Sequence, residues 1–231
     1  MTDSEFFFNF VHGQENRSCV QFLRKFAYEA CENTEPVLLL GPSGAGKTHL
    51  LMALYRRMSA KTPSYKALYQ TGGTLIDNII CRIWEEDERY LSCYLGINML
   101  LIDDLSFLVG KQSTQQELIC FLKNMQKQSV RVLCAIPDCS IVTEPIVSRF
   151  PGTVLQLAPP SNDTIKRLIE FKASRYNLTT PNKKVLRTAL ASKGNGFLIE
   201  GTLKRCAFQS AFAHTYLKEW PHGEKAAGYL I

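Results

Sequence analysis

Two neighbouring carboxylates are the first residues of this sequence that suggest chemistry. Asp103 and Asp104 end the apolar run MLLIDD, which starts at Met99. Buried carboxylates are costly unless they are paired or bind a metal ion. An apolar strand that ends in acid is therefore expected to present that acid to a ligand. The alternative that the residues leave open is that the two acids cap the next turn.

A glycine-rich loop is the second such feature. GPSGAGKT matches G-x-x-x-x-G-K-[ST] at every fixed position. Glycines let successive backbone N–H groups point at one anion, and the following helix adds its positive N-terminal end. We expect Lys47 to reach the β- and γ-phosphates of a nucleotide and Thr48 to place its hydroxyl on Mg²⁺. The alternative is a glycine turn with a chance Lys-Thr pair. The predicted binding residues are Gly41, Pro42, Ser43, Gly44, Ala45, Gly46, Lys47, Thr48 and His49.

The loop and the acid pair are expected to face one ligand. In open α/β sheets, ligands bind at the carboxyl ends of the strands. Asp103 would then hold Mg²⁺, directly or through water, and Asp104 would orient and polarise the attacking water. Phosphoryl transfer depends mainly on positioning and charge neutralisation. The expected cofactors are ATP or ADP and Mg²⁺.

Hydrophobic periodicity predicts the elements that position these residues. Strands are predicted at 37–40, 66–70, 97–103, 130–136 and 153–157, and helices at 20–33, 49–58, 74–84 and 115–128. After the sequence PPSND only helices are predicted, at 165–176, 183–193 and 198–217. The predicted fold class is α/β, with a five-stranded parallel sheet followed by a small helical domain. The predicted domains are an α/β core at 1–158 with an N-terminal linker at 1–17, a helical lid at 159–220 and a tail at 221–231.

Composition and charge narrow the class of protein. Hydrophobic residues make up 45% of the 231 residues, so a packed core is expected and global disorder is not. Residues 161–231 carry 12 Lys and Arg against 5 acids, a net charge of +7. The first 160 residues carry 15 bases and 16 acids, a net charge of −1, so all the excess of the chain's total of +6 lies in the C-terminal third. This excess suits contact with nucleic acid or an acidic protein surface. The alternative is a solvated helical face.

Cysteine usage and hydropathy indicate a reduced, cytoplasmic protein. The eight cysteines form no CxxC pair, so we expect free thiols in core positions. No apolar run approaches the ~18 residues that a membrane helix needs. The N-terminus MTDSEFFFNF has no basic n-region of a signal peptide. No membrane partner is expected.

The motifs taken together resemble the AAA+ ATPases of the bacterial replication initiator DnaA. LLIDDLSFLVGKQSTQQE is similar to the family's second acidic motif, and GPSGAGKTHLL is similar to its phosphate loop. FFNFVHGQEN resembles the family's N-terminal linker, which covers the nucleotide base. The resemblance therefore implies that Phe10 and Val11 contact the nucleotide. It runs from about residue 6 to 217.

The resemblance also assigns a role to Arg149. SRFPGTVLQLAPPSNDT is similar to the family segment whose SRF arginine acts as a finger toward ATP on the neighbouring subunit. A guanidinium at the γ-phosphate stabilises charge in the transition state. Such a finger requires head-to-tail assembly. The alternative is a structural surface ion pair.

Two departures from the family pattern predict weakened catalysis. The segment GNGFLIEGTLKR places Phe197 where the family's lid arginine touches the phosphates. Cys134 and Ile136 fall where the first sensor segment usually carries a polar residue and Asp. Asp138 could substitute only if its loop is shifted. An ATPase reaction is therefore left open for this chain.

The resemblance leads to a replication function. We expect a short DnaA-type protein, lacking the helix-turn-helix domain that reads origin DNA, similar to truncated homologues that regulate the initiator. Its partners would be DnaA-type subunits or further copies of itself, with non-specific or single-stranded DNA as a further candidate. The alternatives are an intrinsically active ATPase that remodels DNA, as a minimal initiator or helicase loader, and a nucleotide-binding scaffold that does not hydrolyse.

Overall fold

The structure is a computed structural model of the chain. It describes residues 10–28, 34–61, 64–85, 94–108, 111–138, 146–176, 178, 187, 191–192 and 194–219. The predicted tail at 221–231, most of the predicted helix at 183–193 and the first nine residues of the predicted linker lie outside these ranges.

Within the described residues, five parallel strands form one sheet in the order β2-β3-β4-β1-β5. The strands are β1 (Val37–Gly41), β2 (Ala67–Thr71), β3 (Met99–Asp103), β4 (Arg131–Pro137) and β5 (Thr153–Gln156). The predicted α/β fold with a five-stranded parallel sheet is therefore confirmed. Because every strand runs the same way, all five carboxyl ends lie along one edge.

The helices of the sheet-containing part follow the strands in alternation. They are α1 (Arg17–Tyr28), α2 (Lys47–Lys61), α3 (Gly72–Glu85) and α4 (Gln112–Lys127), with short 3₁₀ helices at Gln14–Asn16 and Ser106–Leu108. Two further helices, α5 (Asn162–Arg175) and α6 (Gly196–Glu219), come after the sheet. None of the helices in the described ranges is long and apolar enough to cross a membrane.

The alternation of side chains along the buried strands divides the core into two layers. Leu100 and Ile102 of β3 pack on one face of the sheet with residues of α3 and α4. Met99 and Leu101 pack on the other face with residues of α1 and α2. Asp103 continues this second series, so its side chain belongs to the face that α2 covers.

The chain divides into two compact units, residues 1–159 and 160–231. In the second unit, α5 and α6 pack through a small apolar core. Ser161 is the N-cap of α5: its hydroxyl accepts a hydrogen bond from the Thr164 N–H at 3.3 Å.

Candidate functional site

The glycine-rich loop connects β1 to α2 at the carboxyl edge of the sheet. Gly44 and Gly46 have φ values of +79° and +104°, which L-residues with side chains rarely adopt. The N–H of Ala45 donates to the Pro42 carbonyl at 3.2 Å and closes the turn. The helix that follows has no acidic residue in its first turn. Its positive end is therefore available to an anion.

Lys47 lies at the start of α2 with its ammonium turned onto the loop. Its Nζ donates to the Gly41 carbonyl at 2.7 Å and to the Pro42 carbonyl at 3.0 Å. The residue is only 8% exposed. These bonds hold a cation against the loop backbone, where a phosphate would meet it. Thr48 and His49, the next two residues, are exposed at the same helix end.

Asp103 lies at the carboxyl end of β3, two strands away from the loop strand. In register it pairs with Ala135 of β4 and Thr71 of β2. The Tyr69 hydroxyl donates a hydrogen bond to its Oδ2 at 3.0 Å. Burial, together with the smaller effect of the hydrogen bond to the Asp103 carboxylate, raises the pKa of Tyr69 to about 12. The carboxylate thus lies at the same sheet edge as the loop and on the face that α2 covers.

Asp104 follows directly and begins the next turn. Its Oδ1 accepts a hydrogen bond from the Ser106 N–H at 2.8 Å, at the start of the 3₁₀ helix Ser106–Leu108. This is the capping role that the sequence left open for the acid pair. No other hydrogen bond to Asp104 comes from the described part of the chain.

The end of the predicted linker packs against the loop. The Phe10 ring lies so close to Gly46 that a Cβ added there would meet it at 2.7 Å. Phe10 also lies 5.8 Å from the His49 ring, centroid to centroid. Val11 is half-buried beside it. An aromatic ring from the predicted linker therefore borders the phosphate loop.

The two positions of the first sensor segment point into the core. Cys134 and Ile136 are 0% exposed and pack with α3 and α4. Burial raises the pKa of the Cys134 thiol far above its ordinary value, so it stays neutral. Asp138 lies two residues further on: its N–H donates to the Gly41 carbonyl at 2.9 Å, and its Oδ2 accepts from Gln156 at 3.3 Å. The polar group nearest the loop in this segment is therefore Asp138.

Arg149 is not brought to the loop of its own chain by the core packing. Its neighbours Ile146, Val147 and Phe150 pack on the sheet face covered by α3 and α4, whereas α2 covers the opposite face. The Arg149 side chain is exposed, and among the described residues it has no ion pair. The structural ion pair considered as the alternative is thus not seen in that part of the chain.

In the second unit, Phe197 occupies the first turn of α6. Its ring is 71% exposed. The Asn195 side chain caps this helix by accepting from the Phe197 N–H at 3.0 Å and the Leu198 N–H at 3.3 Å. One turn further, Glu200 accepts hydrogen bonds from Lys172 and Lys204. The Lys172 bond is the main reason why the pKa of Glu200 falls to about 2.

The donor set fits a nucleotide with Mg²⁺. Mg²⁺ prefers oxygen ligands, often one or two from protein together with phosphate oxygens. The Thr48 hydroxyl and the Asp103 carboxylate are oxygen donors of this kind, and the helix and strand that carry them meet on one side of the sheet edge. Among the described residues no cluster of three or more His, Cys, Asp or Glu could hold a metal alone. A site completed by phosphates is consistent with both observations.

Sequence reasoning missed two residues of this site, Tyr69 and Asn16. Tyr69 lies two positions before the end of β2, so only the β2–β3 register shows that it reaches Asp103. Asn16 lies in the predicted linker at 1–17, yet it is 3% exposed and hydrogen-bonds to Ala158, which is distant in sequence. The signal for Asn16 was weak, because a polar residue before a helix usually reads as a cap.

A parallel sheet in this order, with a phosphate loop after β1 and an acid at the end of β3, defines a P-loop NTPase domain of the AAA+ type. The family model of the bacterial DnaA ATPase domain matches residues 2–143. The chain therefore belongs to the DnaA ATPase-domain family.

Curated and solved relatives agree with this assignment. The chromosomal replication initiator protein DnaA of Chloroflexus aggregans is 28% identical over 207 residues, covering 87% of this chain and 43% of the relative. Domain III of Thermotoga maritima DnaA superposes with a TM-score of 0.74 at 24% identity, covering 92% of this chain and 91% of that one. A structure described as replication initiator DnaA bound to AMPPCP and single-stranded DNA gives 0.72 at 25% identity, covering 91% and 67%. The chain thus spans less than half the length of the Chloroflexus protein.

Proposed function

We propose that this chain binds ATP or ADP with Mg²⁺ at residues 41–48 and takes part in replication initiation through head-to-tail contact with DnaA-type subunits. The observation that carries this proposal is the separation within one chain of a phosphate loop and an exposed arginine. The loop leads into α2 on one face of the sheet, and the Arg149 segment packs on the other. A second subunit can bring the two together.

Nucleotide binding rests on the loop itself. Positive φ values at Gly44 and Gly46, a buried Lys47 ammonium and a helix N-terminus without acids form a site for an anion. The Lys47 ammonium would exchange a carbonyl partner for phosphate oxygens. Binding of AMPPCP by a DnaA of similar fold supports the choice of an adenine nucleotide.

The magnesium and water roles follow from the two acids. Thr48 and Asp103 would hold Mg²⁺, which neutralises phosphate charge when bound. Asp104 would orient the attacking water with the carboxylate oxygen that does not cap Ser106. Phe10 would cover the nucleotide from the linker side, since its ring already borders Gly46.

The role in trans belongs to Arg149. In a head-to-tail assembly this exposed guanidinium would reach the γ-phosphate bound by the neighbouring subunit and stabilise charge there. In this way the chain would regulate a full-length initiator by stimulating ATP hydrolysis on it. Single-stranded DNA is the second proposed partner, because a related DnaA binds it together with AMPPCP and residues 161–231 carry a net positive charge.

A non-hydrolysing scaffold is the second candidate function. The observation that favours it is the apolar character of the sensor positions: Cys134 and Ile136 are fully buried, and Phe197 presents a ring where the family has an arginine. A ring cannot replace the lid arginine at a phosphate, and a buried thiol or alkyl group cannot replace the polar side chains of the first sensor segment.

Turnover measurements separate these functions. ATP hydrolysis is measured with the pure chain, with full-length DnaA, and with both. The regulator predicts stimulation only in the mixture and its loss in Arg149→Ala. Arg56→Ala, an exposed arginine of α2, is the matched control and should keep the stimulation. Strong turnover by the pure chain would favour a remodelling ATPase, and no turnover attributable to this chain in any mixture would favour the scaffold.

Two variants test the site assignment directly. Lys47→Ala should abolish nucleotide binding, and unchanged affinity by calorimetry would contradict the loop assignment. Asp104→Asn should keep the nucleotide and stop any hydrolysis by this chain. Wild-type turnover in Asp104→Asn would remove its proposed role.

A further inference from the structure

Tyr69 makes the one hydrogen bond that Asp103 receives from the described residues. Its hydroxyl lies 3.0 Å from Oδ2 of the carboxylate. The sheet register explains the contact: Thr71 is the partner of Asp103, and Tyr69 lies two residues earlier on the same face. A long aromatic side chain can span this diagonal between neighbouring strands.

The Tyr69 ring is itself fixed from the other side. It packs against the Tyr55 ring of α2, with centroids 6.2 Å apart and planes tilted by 53°. Helix α2 is the helix that begins with Lys47 and Thr48. The phenol therefore joins the phosphate-loop helix to the acidic strand, through ring packing at one end and a hydrogen bond at the other.

We infer that Tyr69 is a positioning residue for the magnesium site: its hydroxyl takes Oδ2 of Asp103, fixes the carboxylate rotamer and leaves Oδ1 for the ion or its water. Groups that hydrogen-bond a metal ligand orient it, and their loss typically lowers metal affinity by about 10–100-fold. This inference rests on the proposed function, because it concerns the same nucleotide site. It adds a role to β2, a strand that carries none of the family motifs quoted above.

The test is the effect of Mg²⁺ on nucleotide affinity in the full chain. ATP affinity is measured by calorimetry in excess Mg²⁺ and in EDTA, for the wild type, Tyr69→Phe and the matched control Tyr55→Phe. Tyr55→Phe also removes one phenol oxygen from the ring pair, but its hydroxyl has no hydrogen-bond partner among the described residues. Tyr69→Phe should reduce the Mg²⁺-dependent gain in affinity by about tenfold and leave the EDTA value unchanged. Tyr55→Phe should leave both values unchanged.

Three outcomes would overturn the inference. The first is a wild-type Mg²⁺ gain in Tyr69→Phe. The second is an equal loss of affinity in Mg²⁺ and EDTA, which would show a merely structural role. The third is a further loss of the Mg²⁺-dependent gain in affinity when Tyr69→Phe is added to Asp103→Asn, since Tyr69 is inferred to act only through that carboxylate. If the wild type binds no nucleotide under either condition, it is the proposed function that fails, and the two failures are thereby distinguished.

Discussion

Asn16 and Ala158 exchange two hydrogen bonds across 142 positions of the sequence. The Asn16 Nδ2 donates to the Ala158 carbonyl at 2.9 Å, and the Ala158 N–H donates to the Asn16 Oδ1 at 2.8 Å. The Asn16 side-chain amide thus pairs with the backbone just after the edge strand β5 through one donated and one accepted hydrogen bond, as the backbone of a neighbouring strand would. It anchors the segment that carries Phe10 to the sheet.

Replacing Asn16 with alanine should destabilise the first unit by about 1–3 kcal/mol, because it leaves polar backbone groups unpaired beside a buried position. Denaturant unfolding without nucleotide measures this change. Gln21→Ala is the matched control, since Gln21 is an exposed amide on α1, and it should cost far less. Equal effects of the two substitutions would show that the pair contributes nothing specific.

The contact between Phe10 and Gly46 predicts a coupled pair of substitutions. Gly46→Ala should destabilise the nucleotide-free chain for two reasons: a φ of +104° strains alanine, and its Cβ would lie 2.7 Å from the ring. The backbone strain alone is about 1–3 kcal/mol. The measurement is again the free energy of unfolding.

Phe10→Ala separates the two causes. In the Phe10→Ala background the clash is removed and only the strain remains, so Gly46→Ala should cost less there than in the wild type. Strictly additive costs in the double-mutant cycle would mean that the ring does not rest on Gly46.

The lowered pKa of Glu200 predicts how the stability of the second unit depends on pH. Hydrogen bonds from Lys172 and Lys204 lower its pKa from 4.5 to about 2, with the Lys172 bond the larger cause. A carboxylate whose pKa is lower in the folded chain than in the unfolded chain stabilises the fold at pH values above its unfolded pKa. This contribution is lost as the pH falls through the folded pKa. The contribution should therefore disappear between about pH 4.5 and 2.

Glu200→Gln should accordingly lower stability at neutral pH and flatten its loss in acid, as measured by chemical unfolding across the pH range. The Glu200 side chain is 37% exposed, so solvent screening keeps the effect small. Glu170→Gln, at an exposed position on α5, is the control. Parallel pH curves for wild type and Glu200→Gln would refute the role of this ion pair.

Local pattern was sufficient for the strands and the loop. The predicted strand at 37–40 matches β1 without its last residue. The run VLLL is apolar throughout, as in a strand buried on both faces, and shows no helical periodicity that would compete with a strand prediction. The predicted helix at 74–84 starts two residues early, at Gly72. Two glycines disfavour a helix start by propensity, but the Thr71 hydroxyl accepts from the Thr74 N–H at 3.3 Å and holds the first turn. A side-chain cap thus outweighed propensity.

Contacts between distant segments could not be predicted from the sequence. Tyr69 meets Asp103, and Asn16 meets Ala158, only after the strand order and register are fixed. Nothing in the spacing of these residues sets a register, since hydrophobic alternation defines faces and not neighbours. The motifs therefore predict which groups would act on a nucleotide, and the sheet was needed to show which residues contact those groups.

The exposed ring of Phe197 allows a gain-of-function test of the lid position. The family resemblance places Phe197 where a lid arginine touches the phosphates, and the ring is 71% exposed, so an arginine side chain can be accommodated. Under the proposed function, Phe197→Arg should raise the preference for ATP over ADP by about 10- to 100-fold, the effect of one charged hydrogen bond worth ~1.5–3 kcal/mol. Leu198→Arg is the matched control: Leu198 is 58% exposed in the same helical turn, about 100° around α6 from Phe197. Both substitutions place a cation near the helix N-terminus and so share the same small dipole cost.

The ratio of ADP to ATP dissociation constants, measured by calorimetry in Mg²⁺, reports the outcome. A ratio that rises equally in both variants would indicate general attraction of phosphate by added charge, and an unchanged ratio in Phe197→Arg would show that this turn does not meet the nucleotide.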